Sequence, residues 1–302
     1  MALKFGKKGE FDKKRVVGRL RRTQLITTFG SGSIVDMPDY SVIIAAAKYW
    51  KGESPVLHEP NLEKLLRVSH FKQPYVSENT EDKIMPDVPA FRFPIMHFCP
   101  GCGRLMPFWG FGDDTGKKCS KCNKSIVPSR FITACINGHI EDFPYKWWVH
   151  DGELAQCPAA DKNDKLKITF SDETGGLDSI VITCTACGKS RSMAGSLSKD
   201  ALHGYRCFGK RPWIGMRSEY NDPIRCDAPL RGLQRGASNV YFAQTASALT
   251  IPPWSSRLNQ EIELYWDSLS SFLDANPEED RLREALSLKF YDLLKLGTYS
   301  LD

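Results

Sequence analysis

The apolar positions of this chain fall in short stretches separated by glycine, proline and polar residues. Leu25 to Asp36 sets Ile and Val around Gly30-Ser31-Gly32-Ser33, which predicts a strand, a tight glycine turn and a second strand. Ser41 to Trp50 is apolar throughout, and periodicity does not decide between a buried helix and a buried strand. Residues 51–95 carry scattered prolines and mixed polarity, with a short helix expected around Leu62 to Val68. Leu166 to Phe170 and Ser179 to Thr183 read as strands separated by a turn at Thr174-Gly175-Gly176, and Val240 to Phe242 as another strand. After Pro252-Pro253-Trp254 the spacing becomes helical over Leu258 to Leu273. Asn276 then caps a helix that opens with Pro277-Glu278-Glu279 and closes near Gly297. The pattern predicts an α+β fold: short strands organised around zinc-ribbon-like knuckles, with a helical C-terminal end. Its expected divisions are 1–22, 23–96, 97–254 and 255–302.

The 302 residues are 41% hydrophobic, which suits one large or two modest domains, and no apolar run is long enough to span a membrane. Charge is unevenly spread. Residues 1–22 hold nine basic side chains against two acidic ones, whereas the remainder has 32 against 34. The expectation is a near-neutral body with a flexible basic arm, suited either to nucleic acid or an acidic partner or simply to solvation. A cytoplasmic protein with no signal peptide is expected.

Ten cysteines in a reducing compartment point to metal rather than disulfides. Cys99-Pro-Gly-Cys102 and Cys119-Ser-Lys-Cys122 give C-x2-C, sixteen residues, C-x2-C. Two thiolate pairs on tight turns close a tetrahedral sulfur shell, the spacing of a structural zinc site with no open position for water. Lys117, Lys118, Lys121 and Lys124 flank the second pair and offset its charge or touch phosphates. Cys184-Thr-Ala-Cys187 starts a second site, for which Cys207 and Cys226 are the natural completing ligands. Cys135, His139, His150 and Cys157 remain as a third candidate set, the alternative being packing residues. A cysteine–histidine nucleophile at Cys135 and His139 is conceivable, but no oxyanion-hole signature supports it.

Three segments carry a family resemblance. They are Arg22 to Val35 (RTQLITTFGSGSIV), Cys135 to His150 (CINGHIEDFPYKWWVH) and Pro229 to Trp254 (PLRGLQRGASNVYFAQTASALTIPPW). With the C-x2-C knuckles between them, the chain resembles the DrmB family of the DISARM bacterial phage-defence system over roughly residues 15–256. The resemblance implies a non-catalytic zinc-binding partner of the helicase-like protein DrmA, in a complex that engages foreign DNA while a methyltransferase marks the host's own. It also implies a relation to zinc-binding C-terminal regions of certain bacterial repair helicases. Family members usually continue through a further C-terminal region, so a short or truncated member is expected here.

Independent of the resemblance, no G-x4-GK[ST] loop and no H-E-x-x-H stretch occurs. The Gly30 to Ser33 turn lacks the lysine of a phosphate loop. Glu141-Asp142 reads as a carboxylate pair or a helix cap, and Phe143, Tyr145, Trp147 and Trp148 as core aromatics or base-stacking groups. For DNA the candidates are Lys13, Lys14, Arg15, Arg19, Arg21 and Arg22. Arg231 and Arg235 form a second candidate pair, which instead could hold its loop through carbonyls. Taken with the resemblance, the expected function is a non-enzymatic defence subunit assisting a helicase-like partner on DNA. The alternative is a scaffold that binds the helicase without touching DNA.

Overall fold

The structure is a computed structural model that describes residues 2–4, 16–50, 55–74, 88–112, 116–159, 165–171, 175–215, 221–222, 224–248, 266–267 and 270–271. Contacts within the chain divide it into Met1–Thr245 and Ala246–Asp302. In the first unit the elements run β1 (Ala2–Lys4), β2 (Val16–Arg19), α1 (Arg22–Thr27), β3 (Ile34–Asp36), β4 (Ser41–Ile44), β5 (Val56–Leu57), α2 (Pro60–Leu66), β6 (Phe71–Lys72) and β7 (Val88–Arg92). They continue with β8 (Met96–Phe98), β9 (Arg104–Pro107), β10 (Val127–Pro128), β11 (Phe131–Ala134), β12 (Ile140–Asp142), α3 (Tyr145–His150), β13 (Leu166–Phe170), β14 (Ile180–Cys184), β15 (Ser190–Ser192) and β16 (Arg231–Gln234).

Among the described residues the strands make four sheets, in the orders β2-β1-β7-β4-β3, β10-β8-β9-β13-β14-β15, β12-β11-β16 and β5-β6. The pairings are antiparallel except β1 with β7, which is parallel. Strand β4 is buried on both faces. Val42 and Ile44 enter a core with Leu25, Tyr40, Val88 and Ala90. Ile43 and Ala45 enter another with Phe91, Phe93, Ile132 and Ile140. Strand β11 repeats the device, sending Ile132 to that second core and Phe131 to a third, built on Phe143, Tyr145, Trp148, Leu166 and Ile182. In β14 only one face is covered, and Ile180, Ile182 and Cys184 alternate inward as the sequence pattern requires.

Several expectations change. The N-terminal segment is not a free arm throughout, because β1 and β2 pair with each other and β1 joins β7; Lys13, Lys14 and Arg15 lie outside the described residues. The expected strand at Leu25 is helix α1. Gln24 Oε1 accepts the Arg21 N–H at 2.8 Å, and Thr27 Oγ1 bonds back to the Thr23 carbonyl at 3.0 Å. Only Leu25 in that helix is buried, so its β-branched neighbours have no sheet to enter. The expected strand at Val240 to Phe242 is absent. Strand β16 ends at Gln234, the Val240 N–H closes a turn on the Ala237 carbonyl at 3.1 Å, and Phe242 is exposed. The glycine turn before β3 is present and internally satisfied. Ser33 Oγ donates to the Gly30 carbonyl at 2.7 Å, Ser31 Oγ to Ala45 at 3.0 Å, and the Gly32 N–H to Ile44 at 2.9 Å. Its donors serve the chain itself rather than a phosphate. Trp266, Asp267, Ser270 and Ser271 are helical, and the rest of the expected C-terminal helices lie outside the described residues.

Ile43 has no exposed surface, whereas Ile26 is 67% exposed. Truncating Ile43 to Ala should cost about 2–5 kcal/mol through lost burial and the cavity left behind. Truncating Ile26 to Ala should stay within about 0.5 kcal/mol. Denaturant titration of both variants checks the assignment, and equal effects would contradict it.

Candidate metal centres

Three hairpin ends fold into the same knuckle. In each, the cysteine N–H donates to the carbonyl five residues on, and the N–H four residues on donates back. The pairs are Cys99 with Arg104 (3.0 Å) and Gly103 (2.8 Å), Cys119 with Lys124 (2.9 Å) and Asn123 (2.7 Å), and Cys184 with Lys189 and Gly188 (both 2.8 Å). The residue four on takes positive φ each time: 72° at Gly103, 54° at Asn123 and 77° at Gly188. Gly or Asn tolerates that conformation, which turns the chain so that both thiols of a C-x2-C pair face one point. A related turn joins β11 to β12, where the Cys135 N–H donates to His139 O at 3.1 Å and Gly138 to Cys135 O at 3.0 Å.

Among the described residues these turns bring twelve side chains into three groups of four, each with its ligand atoms within 4.8 Å of one another. The first is Cys99, Cys102, Cys119 and Cys122, as the spacing indicates. The other two regroup the sequence expectation. Cys184 and Cys187 meet His150 and Cys157, while Cys207 and Cys226 meet Cys135 and His139. The cause is topological. The register pairs Ala134 with Arg231, so the chain leaves β11 at Cys135 where it approaches β16 from Cys226. Likewise α3 packs on β14 and β15, which sets His150 beside the knuckle at the end of β14.

The donor sets suit a four-coordinate ion. Sulfur pairs stand 3.7 Å apart (Cys102–Cys119), 3.8 Å (Cys157–Cys184) and 3.9 Å (Cys135 to both Cys207 and Cys226), with Cys99–Cys122 closer at 3.2 Å. Ring nitrogens lie 3.3–3.5 Å from sulfur, His139 Nδ1 beside Cys135 and Cys207, and His150 Nε2 beside Cys187. A tetrahedron with metal–sulfur bonds of about 2.3 Å and metal–nitrogen bonds of about 2.0 Å has edges of about 3.8 Å and 3.5 Å. All ten cysteines are free thiols.

Outer partners orient these groups. His139 Nε2 faces Asp222 Oδ2 at 3.1 Å, which leaves Nδ1 turned toward the sulfurs. His150 Nδ1 faces the Lys146 carbonyl at 2.7 Å, leaving Nε2 toward Cys187. Arg104 donates to Cys119 Sγ at 2.8 Å and Asn137 to Cys226 Sγ at 3.3 Å. Burial pushes the Cys99 thiol up to about 12. Burial also acts to raise Cys119 and Cys226, but Arg104 and backbone amides bring Cys119 down to about 6, and the Ala228 amide with Asn137 brings Cys226 down to about 7. Thiols this close cannot all ionise without a cation among them, and one goes up as its neighbour comes down.

The other candidates resolve differently. Glu141 is buried and accepts the Phe208 N–H at 2.7 Å; Asp142 accepts the Met96 N–H at 2.8 Å, and burial raises its carboxyl to about 6. Both lie on β12, so neither caps α3, whose N-terminal cap position is Pro144. Phe143, Tyr145 and Trp148 are core, with Phe143 5.0 Å from the Tyr145 ring and 5.9 Å from Trp148. Arg235 holds the Pro128 and Ser129 carbonyls at 2.9 and 2.6 Å and Asp36 at 2.9 Å, so it ties the turn before β11 to β3. Arg19, Arg21, Arg22 and Arg231 are exposed, with Arg22 Nη1 3.1 Å from Gln73 Oε1. Asp222, Asn137 and Arg104 carry no spacing signal and emerge only from the fold.

The family model described as "Domain of unknown function (DUF8724)" matches residues 21–242, a span that contains all three groups. The chain belongs to this family. It is also similar to the DISARM protein DrmB of Bacillus paralicheniformis (strain ATCC 9945a / NCIMB 11709 / CD-2), 31% identical over 265 residues. That match covers 85% of this chain and 44% of DrmB, so the chain spans less than half the length of its relative.

Elemental mass spectrometry tests the grouping. We expect three metal ions per chain. A Cys184→Ser/Cys207→Ser double variant should lose two ions, because its cysteines belong to different groups. Loss of one ion would restore the pairing of Cys184, Cys187, Cys207 and Cys226.

Proposed function

We propose that this chain is a non-catalytic, zinc-organised subunit of a DISARM-type phage-defence assembly, working in the cytoplasm beside a helicase-like partner on foreign DNA. The carrying observation is the similarity to DrmB over 85% of the chain, with three ligand groups inside the matched span. Zinc is favoured because three of four or all four donors in each group are thiols, and the edges fit its tetrahedral shell. Every donor position is filled by protein, which is the arrangement of a structural site. The zinc ions would fix the hairpin ends, while this chain's own surface meets its partners.

Nucleic-acid contact rests on exposed cations, and Arg19, Arg21, Arg22 and Arg231 are the sequence candidates that the described structure leaves on the surface. Arg235 is withdrawn from that set by its carbonyl and Asp36 bonds. The competing reading, a scaffold that binds the helicase-like protein alone, draws on the near-neutral charge of residues 23–302.

Replacing Lys13, Lys14, Arg15, Arg19, Arg21 and Arg22 by Ala should weaken binding to a 20-base-pair duplex and flatten its dependence on salt. Each lost phosphate contact removes about 0.9 from the slope of log affinity against log salt. Fluorescence anisotropy from 50 to 200 mM salt reads both. Unchanged affinity and slope would exclude the arm. Retained co-purification with the helicase-like protein, with no DNA binding by the parent chain, would favour the scaffold.

A further inference from the structure

The group of Cys135, His139, Cys207 and Cys226 carries an outward face that its donors do not use. From Arg206 to Lys210 burial alternates: Cys207 and Gly209 are buried, while Arg206, Phe208 and Lys210 are exposed. The inward positions serve the centre, with Cys207 as a donor and the Gly209 N–H 3.4 Å from its sulfur. The outward positions put Phe208 between Arg206 and Lys210 along the chain. Phe208 is 48% exposed, and Lys210 Nζ stands 5.9 Å from its ring centroid. The ring is not a loose side chain. It packs edge-on against Tyr205 at 5.8 Å, and Tyr205 against Trp147 at 5.5 Å, an aromatic ladder that runs from the surface to α3.

Beside this segment lies a cleft of about 300 Å³ whose wall includes Cys207 and Cys226 and whose lining also includes the exposed Lys199, Arg206 and Arg225. Its acids are Asp200 and Asp227. Asp227 meets Arg225 at 2.9 Å, but both side chains are more than two-thirds exposed, so the pair is weak and exchanges readily for a phosphate. Glu141, which lies 3.8 Å from Lys210, is buried, and its other oxygen accepts the Phe208 N–H, so it does not face a ligand. Neighbouring ligand loops add exposed apolar tips at Ile136 and Ile224.

We propose that this face binds single-stranded nucleic acid, with a base stacked on Phe208 and the backbone phosphates held by Arg206 and Arg225. An acidic peptide would satisfy the cations but leave the flat, pre-packed ring without a use. An unpaired base uses both, because stacking is indifferent to sequence and the cations follow the backbone. The inference rests on the nucleic-acid part of the function proposed above and gives it a place other than the N-terminal basic residues.

The test uses the full chain and a fluorescein-labelled twenty-nucleotide oligo(dT), with a duplex of equal length beside it. Phe208→Leu should weaken oligo(dT) binding at least about five-fold, while Phe208→Trp restores it. Arg206→Ala/Arg225→Ala should lower the salt slope on the single strand by about 1.4. Metal content and melting temperature of each variant, equal to those of the parent, show that the fold and the centre are intact. Binding unchanged in Phe208→Leu overturns this face while leaving the proposed function standing. Equal loss on duplex and single strand overturns base stacking. No binding of either probe by the parent chain overturns both the face and the nucleic-acid reading. Unaltered oligo(dT) affinity with lost capture of the helicase-like protein makes it a protein contact instead.

Discussion

Three groups of crowded, largely buried thiols and imidazoles present the constraint on which this fold depends. Three or four thiols within 4.8 Å of one another cannot all carry charge in a poorly solvated site. The protein supplies partial relief from Arg104, Asn137 and the knuckle amides. A divalent cation held among them would resolve the rest by converting mutual repulsion into shared attraction. With an ion bound, each four-donor set would cross-link distant parts of the chain.

Their positions explain why so irregular a chain holds together. An ion held by Cys135, His139, Cys207 and Cys226 would join Cys135 to Cys226 across 91 positions of sequence. In the chain-entropy account, a cross-link closing about 100 residues is worth about 4.7 kcal/mol through the unfolded state. Few of the described elements are long, and α1 and α3 have only six residues each. Helices that short have little intrinsic stability. The ordering instead comes from strands such as β4 and β11 that share two cores, with the ligand groups placed where hairpins end.

The sequence revealed what is local. Knuckles announce themselves because C-x2-C with a following Gly or Asn encodes a turn in five residues. The one-sided strands β13 and β14 were legible because burial on a single face leaves a period of two. Strand β4 was not, since Val42 and Ile43 both find cores on opposite faces and the period vanishes. The short helix α1 is not legible because its Ile and Thr residues favour strands, and only the tertiary context leaves them at the surface. The partition of ligands failed for a related reason. Spacing says which two thiols share a turn, but the pairing of Ala134 with Arg231 says which turns share an ion.

That division bears on how such a centre can gain a second role. Once Cys207 and Gly209 are committed inward, the intervening positions are exposed by geometry and free to vary without disturbing the donors. Phe208 costs some exposed apolar surface, and its half-exposed ring is braced by Tyr205 rather than turned into the core. A side chain with only a packing role would gain from turning inward. A pre-ordered ring held at the surface loses little conformational entropy on meeting a flat ligand. The same backbone that closes one ligand shell thereby presents a rigid aromatic edge, flanked by cations, to whatever approaches it.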